Sequence, residues 1–290
     1  MATGNDFRKP DAVARAIMPE LPEVETTCRG IAPHLTGARI REVVIRRTDL
    51  RQPVSADLAK IVGLRVTAVS RRSKYLLLAL DDGSTVLVHL GMSGSLRIVG
   101  AGDPWKKHDH VALGFGRGRQ LRFHDPRRFG LVLRVHGDPS AHPLLAGLGP
   151  EPFDRSFSAA WLAARCASRR AAIKLVLMDP AVVTGVGNIY ACESLFRAGI
   201  APGTPADRLT RPALGKLVRA VRSVLRQAVR EGGTTLRDFV SPGGTPGYFR
   251  QKLFVYGRKG EPCRKCSTPI RHAVLGQRST YWCPTCQKRF

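Results

Sequence analysis

Four cysteines near the C-terminus constrain the fold more than any other feature. Cys263-Arg-Lys-Cys266 is followed, sixteen residues later, by Cys283-Pro-Thr-Cys286. Two Cys-x2-Cys knuckles at this separation bring four thiolates to the corners of a tetrahedron, the geometry of a structural zinc site with no coordination position left open. One Zn2+ per chain is therefore expected, held by Cys263, Cys266, Cys283 and Cys286. The remaining cysteines, Cys28, Cys166 and Cys192, are scattered, and a total of seven argues against a disulfide framework. Arg258, Lys259, Arg271, Arg278, Tyr281, Trp282, Lys288 and Arg289 surround the knuckles. Such decoration suits a finger that meets an anion.

The charge balance agrees. The 290 residues include 47 Lys and Arg against 22 Asp and Glu, a formal net charge of +25. Neutralising phosphates is the main reason to carry such self-repulsion, so nucleic acid is the expected partner. No run of about 18 apolar residues is present to span a bilayer, and the N-terminus lacks the apolar core of a secretory signal. A soluble, intracellular protein with no membrane partner is expected.

Along the chain, residues 1–17 are polar and without period, which predicts a segment that is disordered or absent from the active protein. Behind Pro19, Leu21, Val24, Cys28, Ile31 and Leu35 recur at helical spacing, with Pro19 placed in the first turn. From about Ala38 to Val135 the period becomes two, as in Val62/Leu64/Val66/Ala68, Val111/Leu113/Phe115 and Leu121/Phe123. Seven or eight short antiparallel strands in a sandwich or barrel are predicted, with turns at Asp82-Gly83 and Gly116-Arg117-Gly118. A Gly- and Pro-rich stretch over 136–152 reads as a linker. Beyond it, Leu214, Leu217, Val218, Val221, Leu225 and Val229 line one face of a helix. That helix starts near Thr210-Arg211-Pro212 and stops at Gly232-Gly233. Arg219, Arg222, Arg226 and Arg230 then form a solvated face. Gly185-Val-Gly187 opens a further helix, Asn188 to Ala198, capped by Gly199; its first N–H groups can cradle a phosphate, although a plain structural turn is the commoner meaning.

Several segments occur in order with these features. They are Met18-Pro19-Glu20-Leu21-Pro22-Glu23, Arg71-Arg72-Ser73-Lys74-Tyr75-Leu76, His89-Leu90-Gly91-Met92-Ser93-Gly94, Lys107-His108-Asp109-His110, Asp125-Pro126-Arg127-Arg128-Phe129-Gly130, Gly232-Gly233-Thr234-Thr235 and Pro246-Gly247-Tyr248-Phe249. From Met18 to the C-terminus the chain resembles the bacterial formamidopyrimidine-DNA glycosylase family. The resemblance implies an α+β, multidomain fold. Residues 18–135 would form an N-terminal helix on a β-sandwich, 153–250 a helix–two-turn–helix domain, and 251–290 the zinc finger. It also implies excision of oxidised purines from duplex DNA, followed by β,δ-elimination at the abasic site.

Site residues follow from the same resemblance. The nitrogen of Pro19 matches the family's nucleophile, Glu20 its acid/base, Lys74 a phosphate-contacting proton carrier on a strand, and Arg278 a finger residue that assists elimination. His108, Arg127, Arg169, Lys174 and Asn188 match DNA contacts. Met92, Arg127 and Phe129 match the residues that fill the gap left by a flipped nucleotide. The loop Thr234 to Tyr248, with Arg237, would cover the flipped base. Arg169 stands where lysine is common in the family.

Pro19 can act only as a free amine, so the active chain is expected to begin there, through translation from Met18 or removal of the preceding arm. A retained arm would make the nitrogen an amide, and the alternative is then a non-catalytic damaged-DNA-binding protein. An endonuclease-VIII-like enzyme for oxidised pyrimidines is disfavoured by Pro19-Glu20-Leu21-Pro22 in place of Pro-Glu-Gly-Pro. A monomer working in the cytoplasm, associated with the nucleoid when bound to DNA, is expected.

Overall fold

The computed structural model describes residues 19–233 and 252–288. The arm 1–17, Met18, the loop Thr234 to Tyr248 with Arg237, and Arg289 lie outside the described residues.

Helix α1, Leu21–Leu35, buries Leu21, Val24, Cys28, Ile31 and Leu35, the face that the spacing predicts. Pro19 is not in its first turn. Glu20 is the N-cap and Pro22 takes the early helical position, where a missing N–H costs nothing. The apolar stripe of α1 lies against two four-stranded antiparallel sheets. One has the order β1 (Ile40–Ile45), β6 (Asp109–Phe115), β7 (Arg119–His124), β5 (Ser95–Gly100), and the other β2 (Val66–Arg72), β3 (Tyr75–Leu80), β4 (Thr85–His89), β8 (Leu131–Val135). Inward residues such as Leu76, Leu78, Val86, Leu113 and Phe123 join the face of α1 in a single core. Both expected turns connect paired strands. Val62 and Leu64 fall in the turn before β2, because Leu58–Ile61 forms a 3-10 turn that buries Leu58 and Ile61 instead.

The stretch 136–152 contains the short helix α2, Pro143–Ala146, and carries Glu151. Helices α3 (Ala159–Cys166), α4 (Ile173–Met178), α5 (Asn188–Ala198) and α6 (Arg211–Arg230) then enclose a second core. α6 starts as its sequence predicts, with Thr210 Oγ1 accepting the Ala213 N–H. Its outer face is not simply solvated. Arg222 donates to the carbonyls of Pro152, Asp154 and Phe157 and ties α6 to the segment leading into the helical half. Arg219, Arg226 and Arg230 are exposed, as expected. Among the described residues no helix is long and apolar enough to cross a membrane.

The last part is a hairpin, β9 (Arg271–Leu275) and β10 (Arg278–Trp282), resting on α5 through Cys192, Phe196, Val255, Ile270 and Cys283. α5 therefore meets all three parts of the chain. Its bounds and its left-handed Gly199 cap, with φ of 74°, are those read from the sequence. Its start receives the N-terminal segment, its middle holds the lead into the hairpin, and Gly199 O accepts from Lys288 N at 3.0 Å.

Candidate active site and nucleic-acid interface

The amides at the start of α5 do not wait for a phosphate. They are occupied by the carboxylate of Glu20, which accepts from Gly187 N at 2.7 Å, Ile189 N at 2.9 Å and Tyr190 N at 3.3 Å. Gly187 is required by this approach, since a Cβ there would stand 2.3 Å from Glu20 Cδ. Leu21 N adds a bond to Gly185 O at 3.0 Å. Glu23 completes the junction. One of its oxygens accepts from Glu20 N at 3.0 Å and the other from the buried Tyr190 hydroxyl at 2.7 Å.

Burial dominates the titration of Glu20. Its side chain is 2 % exposed, and desolvation pushes its carboxyl up to about 7, opposed by Lys74 and by the amides of Ile189 and Tyr190, and assisted by Glu23. Helix N-termini favour anions, but here the loss of water is the larger effect. An acid of this kind exchanges protons near neutrality, as a general acid/base must. Pro19, buried, precedes it directly.

Lys74 is not on a strand. Arg72 pairs with Tyr75, so Ser73 and Lys74 form the two-residue tip of the β2–β3 hairpin, with Ser73 at φ of 56°. A tip reaches further than a strand face. Desolvation pulls the Lys74 ammonium below its ordinary value, Glu20 and Glu23 oppose this, and Arg278 adds to it. Glu151 aims the tip by accepting from Ser73 N at 2.7 Å, Arg71 at 2.8 Å and Arg72 at 3.1 Å. No sequence signal marked Glu151 beyond its being an acid in a Pro- and Gly-rich stretch.

Lys174, Asn188 and Arg278 also converge. Lys174 is 0 % exposed, and its ammonium donates to Thr280 Oγ1 at 2.7 Å and Ser279 O at 3.2 Å. Asn188 Nδ2 donates to the same Ser279 O at 2.9 Å. Both seat β10 immediately beyond Arg278, which is itself exposed. Desolvation lowers Lys174 as it does Lys74, with Arg278 again adding to the shift. Arg169 stands apart. It is exposed and paired with Asp179 at 3.2 Å.

The remaining predicted contacts lie on the sandwich. Met92 is half-buried in the turn after β4, Arg127 and Phe129 are exposed in the turn before β8, and His108 is half-buried before β6. The Arg127 guanidinium lies 4.9 Å from the Phe129 ring centroid, and Phe129 is 45 % exposed. Burial, with Lys74 and Arg51, drives His89 down to about 3, so its Nδ1 is free to accept from Gly91 N at 2.9 Å and anchors the Met92 turn.

The four knuckle cysteines are gathered as their spacing predicts, with all four sulfurs within 4.8 Å of one another. Contacts of 3.4 Å (Cys266–Cys286), 3.5 Å (Cys266–Cys283) and 3.9 Å (Cys263–Cys286) bracket the edge of about 3.8 Å that a tetrahedron with bonds of about 2.3 Å requires. None is in a disulfide. The donor set fits one Zn2+, which would fix the ends of the hairpin and supply no open position for chemistry.

Three family models match in order. They are the formamidopyrimidine-DNA glycosylase N-terminal domain over residues 18–132, the formamidopyrimidine-DNA glycosylase H2TH domain over 148–240, and a zinc finger found in FPG and IleRS over 260–289. The chain is 54% identical over 272 residues to the formamidopyrimidine-DNA glycosylase of Xanthomonas campestris pv. campestris (strain 8004), covering 93% of this chain and all of that one. Among solved structures it is similar to MutM (Fpg) of Thermus thermophilus, with a TM-score of 0.85 and 41% identity over 94% of this chain and 100% of that one. It is also similar to Lactococcus lactis Fpg in complex with abasic-site DNA, with a TM-score of 0.86 and 30% identity over 93% of this chain and 100% of that one. Sandwich, H2TH helices and finger in this order make a DNA-repair enzyme of the zinc-finger glycosylase class. The chain belongs to the formamidopyrimidine-DNA glycosylase family, and is a base excision repair DNA glycosylase with abasic-site lyase activity.

Proposed function

We propose that the protein excises oxidised purines, 8-oxoguanine and formamidopyrimidines, from duplex DNA through a Schiff base on the Pro19 nitrogen, and then cleaves the strand by β,δ-elimination. The observation that carries this reading is Glu20, a buried carboxyl poised at about 7, seated beside Pro19 and within reach of the Lys74 charge. The Pro19 lone pair attacks the anomeric carbon as the glycosidic bond breaks. Glu20 protonates the opening sugar and later relays protons. An α-amine, with a reference pKa of roughly 7.7–8.0, supplies the lone pair near neutrality more readily than an ordinary lysine. Lys74 and Arg278 flank the phosphates and assist elimination. A Lactococcus lactis relative is solved with DNA containing Fapy-dG, which supports the purine branch.

Residues 1–17 precede the matched region, which starts at residue 18. Cleared of that arm, the chain has its nucleophile; with it, only damage binding remains. His108 and Arg169 would pair with phosphates, and Met92, Arg127 and Phe129 would fill the void of the flipped nucleotide. Lys174 and Asn188, already bonded to β10, would act on the lesion's phosphate mainly by setting where Arg278 stands. The working protein is a cytoplasmic monomer that joins the nucleoid when on DNA, divided at 18–135, 153–250 and 251–290. Excision from duplexes carrying 8-oxoguanine should exceed that from thymine glycol duplexes. The reverse order would move the protein to the oxidised-pyrimidine branch.

A further inference from the structure

Asp125 is 0 % exposed, yet nearly every polar atom it has is committed to a loop that carries a predicted DNA contact. Oδ1 accepts from the Ser93 hydroxyl at 2.7 Å and from Arg127 N at 3.3 Å, and Oδ2 from Gly130 N at 2.8 Å. Ser93 Oγ in turn accepts from Arg127 N at 3.2 Å. Along the backbone, Asp125 N donates to His108 O at 2.9 Å, and its carbonyl accepts from His110 Nε2 at 2.8 Å. The Met92 turn and the Phe129 turn are also in steric contact, for a Cβ on Gly91 would lie 2.4 Å from the Phe129 carbonyl carbon. Among the described residues no cation forms an ion pair with this carboxylate. A carboxyl group buried with only loop amides and one hydroxyl as partners is costly to take out of water. What it secures is the relative position of three otherwise separate loops.

We propose that Asp125 is a positioning residue that locks the Met92 turn, the Arg127–Phe129 turn and the His108 loop into one rigid wedge. This rests on the glycosylase reading above, in which those side chains fill the void and grip phosphate. Asp125, being buried, touches no DNA. Its effect belongs to the step that evicts a stacked base, because insertion must be concerted to offset the unstacking. At a preformed abasic site no base has to leave, so a loosened wedge matters little there.

The test uses the active chain as wild type, Asp125→Asn and Ser93→Ala. The second variant removes only the hydroxyl that bridges the two turns. Single-turnover excision of 8-oxoguanine from a duplex, fluorescence of 2-aminopurine beside the lesion, and cleavage of a preformed abasic site are compared, with zinc content and melting temperature alongside. Asp125→Asn should slow excision and the fluorescence rise about tenfold to a hundredfold, and Ser93→Ala should act in the same direction by less. Abasic-site cleavage should stay within about threefold of wild type in both. Unchanged excision in both variants overturns the proposal, and so does an equal loss of both activities, which would mark Asp125 as part of the general fold. A wild type that cleaves neither substrate would overturn the glycosylase reading itself.

Discussion

Glu20, the N-cap of α1, and Glu193, in α5, are both buried, and each accepts three backbone N–H donors. Glu20 takes those of Gly187, Ile189 and Tyr190 at the helix start. Glu193 takes those of Phe254, Val255 and Tyr256, each at 2.9 Å, one turn further on. Burial raises both acids. Their surroundings separate them. Glu20 adjoins Pro19 and feels the Lys74 charge, whereas Glu193 sits among Phe196, Phe254 and Val255 on the way to the finger. Three amides hold each carboxylate; the chemistry proposed above belongs to the one beside Pro19.

The largest effect that would break this contrast is expected at Glu20. Glu20→Gln keeps one oxygen for the α5 amides, turns an amide nitrogen toward at least one of them at a cost of about 1–3 kcal/mol, and removes the titrating proton, so excision should fall by about 10²–10⁴ in a protein that still folds. The pH dependence follows in sign. A folded value of about 7, raised from 4.5, means that the stability contribution of Glu20 is full below about 4.5 and is lost as pH rises through about 7. Melting temperatures of wild type should therefore decline relative to Glu20→Gln across that window. Activity dependent on protonated Glu20 should also lose its alkaline limb in the variant, and a limb that persists would assign it elsewhere.

Glu193→Gln should act more weakly and differently. One donor among Phe254, Val255 and Tyr256 would face an amide nitrogen, at a cost of about 1–3 kcal/mol. The finger should then lose zinc faster to a chelator, with excision falling in step with metal loss and no change in the pH profile. Arg222→Ala is the smallest and serves as the control. It also removes bonds to three backbone groups, those of Pro152, Asp154 and Phe157, none of which touches Glu20 or the finger, so it should lower stability by about 1–2 kcal/mol and leave pH profile and zinc retention alone.

How much of this was legible depends on the range over which each contact acts. The bounds of α5, its Gly199 cap, the face of α1 and the four cysteines are local patterns of spacing and turn chemistry, and they are where the sequence places them. Lys74 at a hairpin tip was hidden because Ser73, with no glycine or asparagine nearby to signal a turn, takes the left-handed conformation. The grip of Glu151 on Ser73, of Glu20 on Gly187 and of Lys174 on Thr280 spans 78, 167 and 106 residues, distances at which no periodicity reports a partner. Glycine at 187 is conspicuous in the sequence, yet it makes room for a carboxylate and not for a phosphate.

The central claim is that Pro19 supplies the reacting amine beside Glu20. Two preparations test it most directly, one beginning at Met1 with the arm verified by intact mass, and one beginning at Pro19. Each is incubated with lesion-bearing duplex and borohydride, which reduces an iminium to a stable covalent adduct. A tertiary amide at Pro19 gives its lone pair to the carbonyl and cannot attack an anomeric carbon. The account predicts that the form beginning at Pro19 is trapped, with the adduct mapping to Pro19, and that the form retaining the arm is not. Equal trapping of both forms, or an adduct on Lys74, would contradict it.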